Sequence, residues 1–293
     1  MEKVTLRIPA TSANIGPGFD SIGCALSLYN TLTFEKQPRG ILIDGCPKEF
    51  RTPENLAAVA YKKALSALGI PPCGVKITIR ADVPVSRGLG SSAAMIVGGV
   101  TAAGLLNDRP LSKEEVLKIS LTLENHPDNL APAIYGGLTA SITEDGVPYT
   151  LPYQIHEKWH FTALIPDFKL STETARACLP TSYSRADAVY NISHTAVLLK
   201  ALEEGDETVL RIAAKDRLHE QYRSHLIKDY EAIKAAAKSL DAAFYLSGAG
   251  PTLMCISGRA VAEELSRVLD GKTEADWKIL PLDIDRDGTM ILN

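Results

Sequence analysis

A chain of 293 residues is too long for one ordinary hydrophobic core and too short for three, so two domains or one large α/β domain are expected. Hydrophobic residues make up 45% and charged residues 23%, the balance of an ordinary globular protein. A net charge of −4, with no run of Lys or Arg forming a basic stripe, argues against nucleic acid as the main partner.

The opening Met1-Glu2-Lys3-Val4-Thr5 shows no apolar leader and runs into strand-like alternation at Val4–Ile8. Thr52-Pro53 reads as an N-cap followed by an N1 proline, with Leu56, Val59, Ala60, Ala64 and Leu68 on one apolar face and Gly69 as the stop. A strand over Val75–Arg80 leads into a glycine-serine loop and an alanine-rich helix. That helix holds the longest near-apolar stretch, Ala93 to Leu106, which falls short of a membrane span. Ser112-Lys113-Glu114-Glu115 is a capping box that opens a helix running to about Glu124. Gly137–Thr143 alternates as a strand. The polar stretch Pro148–Glu157, with Pro148 and Pro152, then places a domain boundary near residue 155, between units 1–155 and 156–293.

Beyond it, Phe161–Ile165 reads as a strand, and a helix is expected from Asp187, with Val189, Ile192, Ala196, Leu199 and Leu202 on one side and Gly205 as its end. Helices over Tyr230–Leu240 and Ala260–Leu269 and strands over Phe244–Leu246 and Leu253–Ile256 complete an α+β pattern without internal repeats. The cysteines Cys24, Cys46, Cys73, Cys178 and Cys255 are scattered, odd in number and without a C-x-x-C pair. Reduced thiols in a cytoplasmic protein are expected, with no disulfide framework and no zinc site.

The loop Pro84-Val85-Ser86-Arg87-Gly88-Leu89-Gly90-Ser91-Ser92-Ala93-Ala94 lies between a strand and a helix. Gly88 and Gly90 allow positive φ and close approach of a ligand. With Ser91 or Ser92 as the cap, the first-turn N–H groups face outward and favour an anion by roughly 0.3–1 kcal/mol. The loop lacks the lysine of a Walker A motif and the third glycine of a dinucleotide fingerprint, so spacing alone leaves open a purely structural turn.

Pro84–Ala94 resembles the ATP-binding signature of the GHMP kinases, the superfamily of galactose, homoserine, mevalonate and phosphomevalonate kinases. Pro9-Ala10-Thr11-Ser12-Ala13-Asn14-Ile15-Gly16-Pro17-Gly18-Phe19-Asp20-Ser21-Ile22-Gly23-Cys24-Ala25-Leu26 resembles the first motif in its homoserine kinase branch, and Leu246-Ser247-Gly248-Ala249-Gly250-Pro251-Thr252 resembles the third. The resemblance implies a two-domain α+β GHMP kinase fold. Its first unit is like the domain shared with a ribosomal protein and an elongation factor, and its second is a ferredoxin-like sandwich. It also implies phosphorylation of the L-homoserine side-chain hydroxyl by ATP and Mg2+, in threonine biosynthesis. The loop would wrap the nucleotide, Ser92 would ligate magnesium, and Arg87 is expected to meet nucleotide or solvent. Family members are commonly homodimers, although no interface signature is visible in the sequence.

Leu123-Glu124-Asn125-His126-Pro127-Asp128-Asn129-Leu130 sits where a capped helix runs out, and a solvated terminus accounts for its polar residues equally well. Pro127 and Pro132 suggest a fixed, non-helical connection. This segment resembles the family's Glu-Gly-His-Pro-Asp-Asn run, with Asn125 in place of the glycine. The resemblance implies Glu124 as a second magnesium ligand. Two proton routes stay open: Asp128 as base, or direct handover to the γ-phosphate with Asn129 orienting the hydroxyl. His126 would orient its neighbours or be structural.

An amino-acid alcohol needs a clamp for its carboxylate, a task that suits the planar fork of arginine. Arg176 and Arg223 lie in segments that resemble those gripping the substrate carboxylate, although each taken alone reads as a surface arginine. Asn14 and Asp20 are the matching partners for the ammonium group. A sister kinase for mevalonate, a sugar or shikimate, and an inactive ligand-binding relative, are the competing readings.

Overall fold

The structure, a computed structural model, describes residues 1–292. Its first layer is a seven-stranded sheet whose spine is the long antiparallel pair β1 (Lys3–Ala13) and β2 (Ile22–Gln37). β3 (Ile41–Asp44) runs parallel to β4 (Gly74–Ala81), which pairs with the later half of β2. α1 (Leu56–Ala67), α2 (Ser91–Leu106), α3 (Lys113–Ser120) and α4 (Pro127–Tyr135) lie in this part of the chain. β5 (Leu138–Glu144) then joins the start of β2 and pairs with β6 (Val147–Tyr153). Alternate residues of three strands, Val4, Leu6 and Ile8, Leu32 and Phe34, Val75 and Ile77, are buried in one core with α1 and α2. Each such side chain removed from water contributes roughly 1.5–3 kcal/mol.

The second layer begins with β7 (His160–Pro166). Five helices follow: α5 (Thr172–Ala177), α6 (Arg185–Glu204), α7 (Glu207–Ala213), α8 (Glu220–Arg223) and α9 (Tyr230–Ser239). β8 (Ala243–Leu246), β9 (Leu253–Ser257), α10 (Ala262–Leu269) and β10 (Trp277–Leu282) complete it. The spatial order β10-β7-β9-β8 is antiparallel throughout, the split βαβ arrangement of ferredoxin-like folds. Both faces of this sheet are covered. Phe161, Ala163 and Ile165 of β7 join a core shared with Ala10, Ile15 and Ile22 of the first layer, and Leu164 faces a third core with α9 and α10. The chain finally returns to the first sheet as β11 (Met290–Ile291), which pairs with β1. Among the described residues no helix is long and apolar enough to cross a membrane.

Local signals set several boundaries. The Ser112 capping box forms in full, with Ser112 Oγ accepting from Glu115 N and Glu115 Oε2 accepting from Ser112 N. Gly205 closes α6 in the left-handed conformation. Other expectations give way to packing. α1 is capped by Asn55, whose side chain accepts from Ala57 N, and Thr52-Pro53 stand before it. Its buried face is Ala57, Ala60, Tyr61, Ala64 and Leu65, because Tyr61 stacks on Phe34 and turns the helix about its axis; Leu56 is left 41% exposed.

α6 starts after Ser184, not at Asp187. It buries Asn191, Leu198 and Leu202, while Val189 and Ile192 are 58% and 71% exposed. Asn191 sets that rotation, because its Nδ2 donates to Pro17 O and Asp216 Oδ1. α3 ends at Ser120, so Glu124 sits in the turn beyond it. The segment after Glu124 is helical and not the non-helical connection expected. Pro127 occupies N1, where no N–H is needed, and Pro132 sits inside α4. Pro132 cannot donate to Asp128 O, and Gly23 fills that gap. A Cβ on Gly23 would come within 1.8 Å of the Asp128 carbonyl oxygen.

Candidate active site

One cavity of about 680 Å³ gathers the segments singled out in the sequence. Its floor is the loop from Pro84 to Ser92 between β4 and α2. Ser86, Gly88 and Gly90 all have positive φ, and their carbonyl side is held from behind. Leu89 O accepts from Thr11 N, Gly88 O from Ser247 Oγ and Arg87 O from Thr252 N. The N-cap of α2 is the left-handed Gly90, not Ser91 or Ser92 as expected. The serines are therefore the first residues of the helix, and their N–H groups have no intrahelical acceptor. Gly90 is confined as well as turned, since an added Cβ would lie 1.8 Å from Thr11 Oγ1.

Ser92 lines the cavity, as do Pro84, Val85, Ser86, Arg87, Gly88, Gly90 and Ser91. Leu89, Ala93 and Ala94 are fully buried, with their side chains in the cores, so only their backbone is available to a ligand. Arg87 is half-buried and lines the cavity, and it is also tied to the backbone. Its guanidinium donates to the backbone carbonyls of Val85, Pro166 and Asp167.

Beside the loop stand Glu124, His126, Asp128 and Asn129. The link is direct: Thr11 Oγ1, which blocks any side chain at Gly90, donates to Asn129 Oδ1 at 2.8 Å. That bond leaves the Asn129 amide nitrogen as the group free to donate. Asp128 is only 3% exposed. Burial raises its carboxyl to about 7, and the neighbouring charges of Asp20 and Glu124 push the same way. Burial also raises Glu124, whose carboxylate has no hydrogen-bond or ion-pair partner among the described residues. His126 is lowered by burial and is neutral near pH 7, with Nδ1 3.4 Å from Asp20 Oδ2. Asn125 is not among the residues with positive φ, so its replacement of glycine brings no left-handed strain.

Arg176 and Arg223 form the far wall. Arg176, on α5, reaches Asp20 in fork geometry, with Nη2 to Oδ1 at 2.8 Å and Nη1 to Oδ2 at 3.2 Å. Asp20 itself does not line the cavity; it stands behind Arg176 and His126. Arg223 is 1% exposed, and its guanidinium donates to Ala175 O and Gly248 O. Asn14 lines the cavity, but its amide is already engaged, donating to Gly248 O and accepting from Asp20 N.

The sequence reading missed two groups. Phe19 stacks on His219 at 5.0 Å and lies against both arginines, while His219 Nε2 meets Gly16 O and Nδ1 faces Arg223 Nη1. Phe19 was within the first motif; His219, among the charged residues Asp216, Arg217, Glu220 and Arg223, had nothing local to mark it as a partner of Phe19. The second group is the 46–56 stretch with β4, where Phe50, Ile79, Val83 and Met95 offer apolar surface to the cavity beside the polar Glu49 and Asn55. No motif marks Cys46–Asn55, and only folding brings it to β4.

Known proteins supply the comparison. Residues 55–137 match the family model for the GHMP kinases N terminal domain. The chain is 42% identical to a homoserine kinase of Clostridium botulinum, covering 99% of each chain. It is 40% identical to a homoserine kinase of Clostridium beijerinckii, covering 99% of this chain and 98% of that one. A crystal structure of homoserine kinase from Cytophaga hutchinsonii superposes with a TM-score of 0.90 at 24% identity, covering 100% of this chain and 98% of the other, which supports the shared fold.

Proposed function

The chain belongs to the homoserine kinase family of the GHMP kinases, and from that premise we propose that it transfers the γ-phosphoryl group of ATP to the side-chain hydroxyl of L-homoserine, giving O-phospho-L-homoserine and ADP. One observation carries the reading. A single cavity holds an anion-binding helix start, a carboxylate cluster and two arginines, and Thr11 bridges the first two. The triphosphate lies along Gly88–Ser92, and the nucleobase enters the recess lined by Phe50, Ile79, Val83 and Met95. The substrate carboxylate meets Arg176 and Arg223, and Asp20, standing behind Arg176 and His126, adds negative charge on the ammonium side without lining the cavity.

Magnesium suits the oxygen donors present. The described residues contain no group of three His, Cys, Asp or Glu side chains able to hold a metal, but this ion commonly takes one or two protein ligands together with phosphate oxygens. Ser92 Oγ and the unpartnered Glu124 carboxylate, which line the same cavity, would be that pair. When bound, the ion neutralises charge on the β- and γ-phosphates.

Asn129, oriented by Thr11, directs its amide nitrogen at the substrate hydroxyl. Asp128 is poised to take the hydroxyl proton, because a carboxyl near 7 is half ionised at neutral pH. Phosphoryl transfer has a loose transition state, so alignment of hydroxyl and phosphate contributes more than the strength of the base. A substrate panel read by ADP release tests the proposal, with L-homoserine set beside mevalonate, galactose and shikimate. Turnover of homoserine well above the others is expected, and preference for another alcohol removes the assignment.

A further inference from the structure

Arg87 belongs to the phosphate loop by sequence, yet its side chain leaves that loop for the second layer. Nε donates to Pro166 O at 2.8 Å and Nη2 to Asp167 O at 2.5 Å, where β7 ends; Nη1 turns back to Val85 O at 3.3 Å. No carboxylate pairs with it among the described residues, so its charge is spent on carbonyls. Such charge-assisted bonds are roughly twice as strong as neutral ones.

The stretch it holds, 167–171, has no regular structure and leads directly into α5. Its other backbone ties are Asp167 N to Asp276 O and Leu170 N to Ser86 O, the second again to the phosphate loop. Leu170 and Thr172 line the cavity, and Arg176 follows on a helix of only six residues. At its far end α5 is fixed by Ala175 O accepting from Arg223 Nε and by the Arg176–Asp20 pair. A second strap passes through the same residue, since Arg87 O accepts from Thr252 N of the third glycine segment. The near end of the element that carries Arg176 is thus fastened both to the loop on which the triphosphate lies and to the second layer, where Phe168 packs on Trp277 and Leu170 on the third core.

We infer that Arg87 is a positioning residue that couples the two ligand sites. A triphosphate on the loop N–H groups fixes the loop. Arg87 and Ser86 then fix 167–171, and the ordering of α5 that homoserine requires has already been met when homoserine arrives. The coupling is reciprocal, so homoserine tightens nucleotide binding by the same factor. The inference rests on the homoserine reading above.

Calorimetric titration of L-homoserine with and without saturating magnesium and a non-hydrolysable ATP analogue tests it. In the wild type the analogue is expected to tighten homoserine by about fivefold or more, within the usual range of coupling. In Arg87→Ala that ratio falls to about one, whatever the change in the analogue's own Kd. A residue that only supports the fold would weaken both ligands and leave the ratio standing. Arg87→Lys keeps the charge but not the two-pronged reach; it loses most of the coupling and carries the test if the alanine variant does not fold. A wild-type ratio of one, or an unchanged ratio in both variants, overturns the inference while the kinase reading stands. Binding of the analogue with no binding of homoserine to the wild type overturns the homoserine reading, and this inference with it.

Discussion

At one end of the cavity the chain offers backbone to its ligand, and at the other it offers charged side chains. The phosphate end is built from Gly88, Gly90 and the first turn of α2, with its carbonyls held from behind by Thr11, Ser247 and Thr252. The amino-acid end crowds Asp20, Glu124, Asp128, Arg176 and Arg223 into partly or fully buried positions, where burial and the neighbouring charges shift Glu124, Asp128 and both arginines. A backbone cradle is sensitive to space and indifferent to pH. A cluster of buried charges is sensitive to the loss of any one partner and to protons.

That contrast can be broken most severely at Gly90. Gly90→Val drives a side chain into Thr11 and, through it, Asn129; kcat/KM is expected to fall about 1000-fold, about 4 kcal/mol, with ATP binding lost in the same titration. Arg176→Ala should act at the other end alone. The homoserine KM rises about 100-fold, about 2.7 kcal/mol, while the ATP KM stays within about threefold. Normal homoserine saturation in that variant removes Arg176 from the clamp.

Asp128→Asn sharpens the comparison through pH. In the wild type, kcat falls as pH drops through about 7, where Asp128 takes up a proton; the variant loses about tenfold at pH 8 and this acid limb flattens. Near-normal turnover would show that no base is needed. Stability should move the opposite way. Asp128 is raised in the folded state, so its contribution is fully present below the unfolded value near 3.8 and is lost as pH rises through about 7. Asp128→Asn is therefore expected to melt higher than the wild type at pH 8, with the gap narrowing at pH 5 and closing only below about 3.8. The smallest effect belongs to Ser92→Ala. Its loss is expected to raise the Mg2+ requirement about tenfold and to leave the melting temperature unchanged, because Ser92 is exposed at the cavity and caps nothing.

Much of this site could be read locally. The three glycine-rich segments, the Glu124–Asn129 run and the two arginines all line or border one cavity, although they come from widely separated parts of the chain. The illegible part is what side chains do after folding. Arg87 looks like a ligand residue by position and lines the cavity, but its bonds to the end of β7 could not be read from the sequence. Asn14 and Asp20 look like free polar groups and are already engaged, with Gly248 and Arg176 respectively. The nucleobase recess needs residues 46–55 beside β4, and nothing in their composition announces that meeting.

By itself the sequence determined the features that one stretch of chain decides alone: the capping box at Ser112, the left-handed stop at Gly205, the glycine turn before α2, and the motif order that names the family. These depend on φ, on orphan N–H groups and on residues three or four apart. Only the tertiary structure decided which face of α6 is buried, that 127–135 is a helix despite two prolines, and that Asp128 titrates near neutrality. A helix rotates to satisfy its neighbours, as Asn191 shows with Pro17 and Asp216, and a carboxyl shifts only when other segments take its water away.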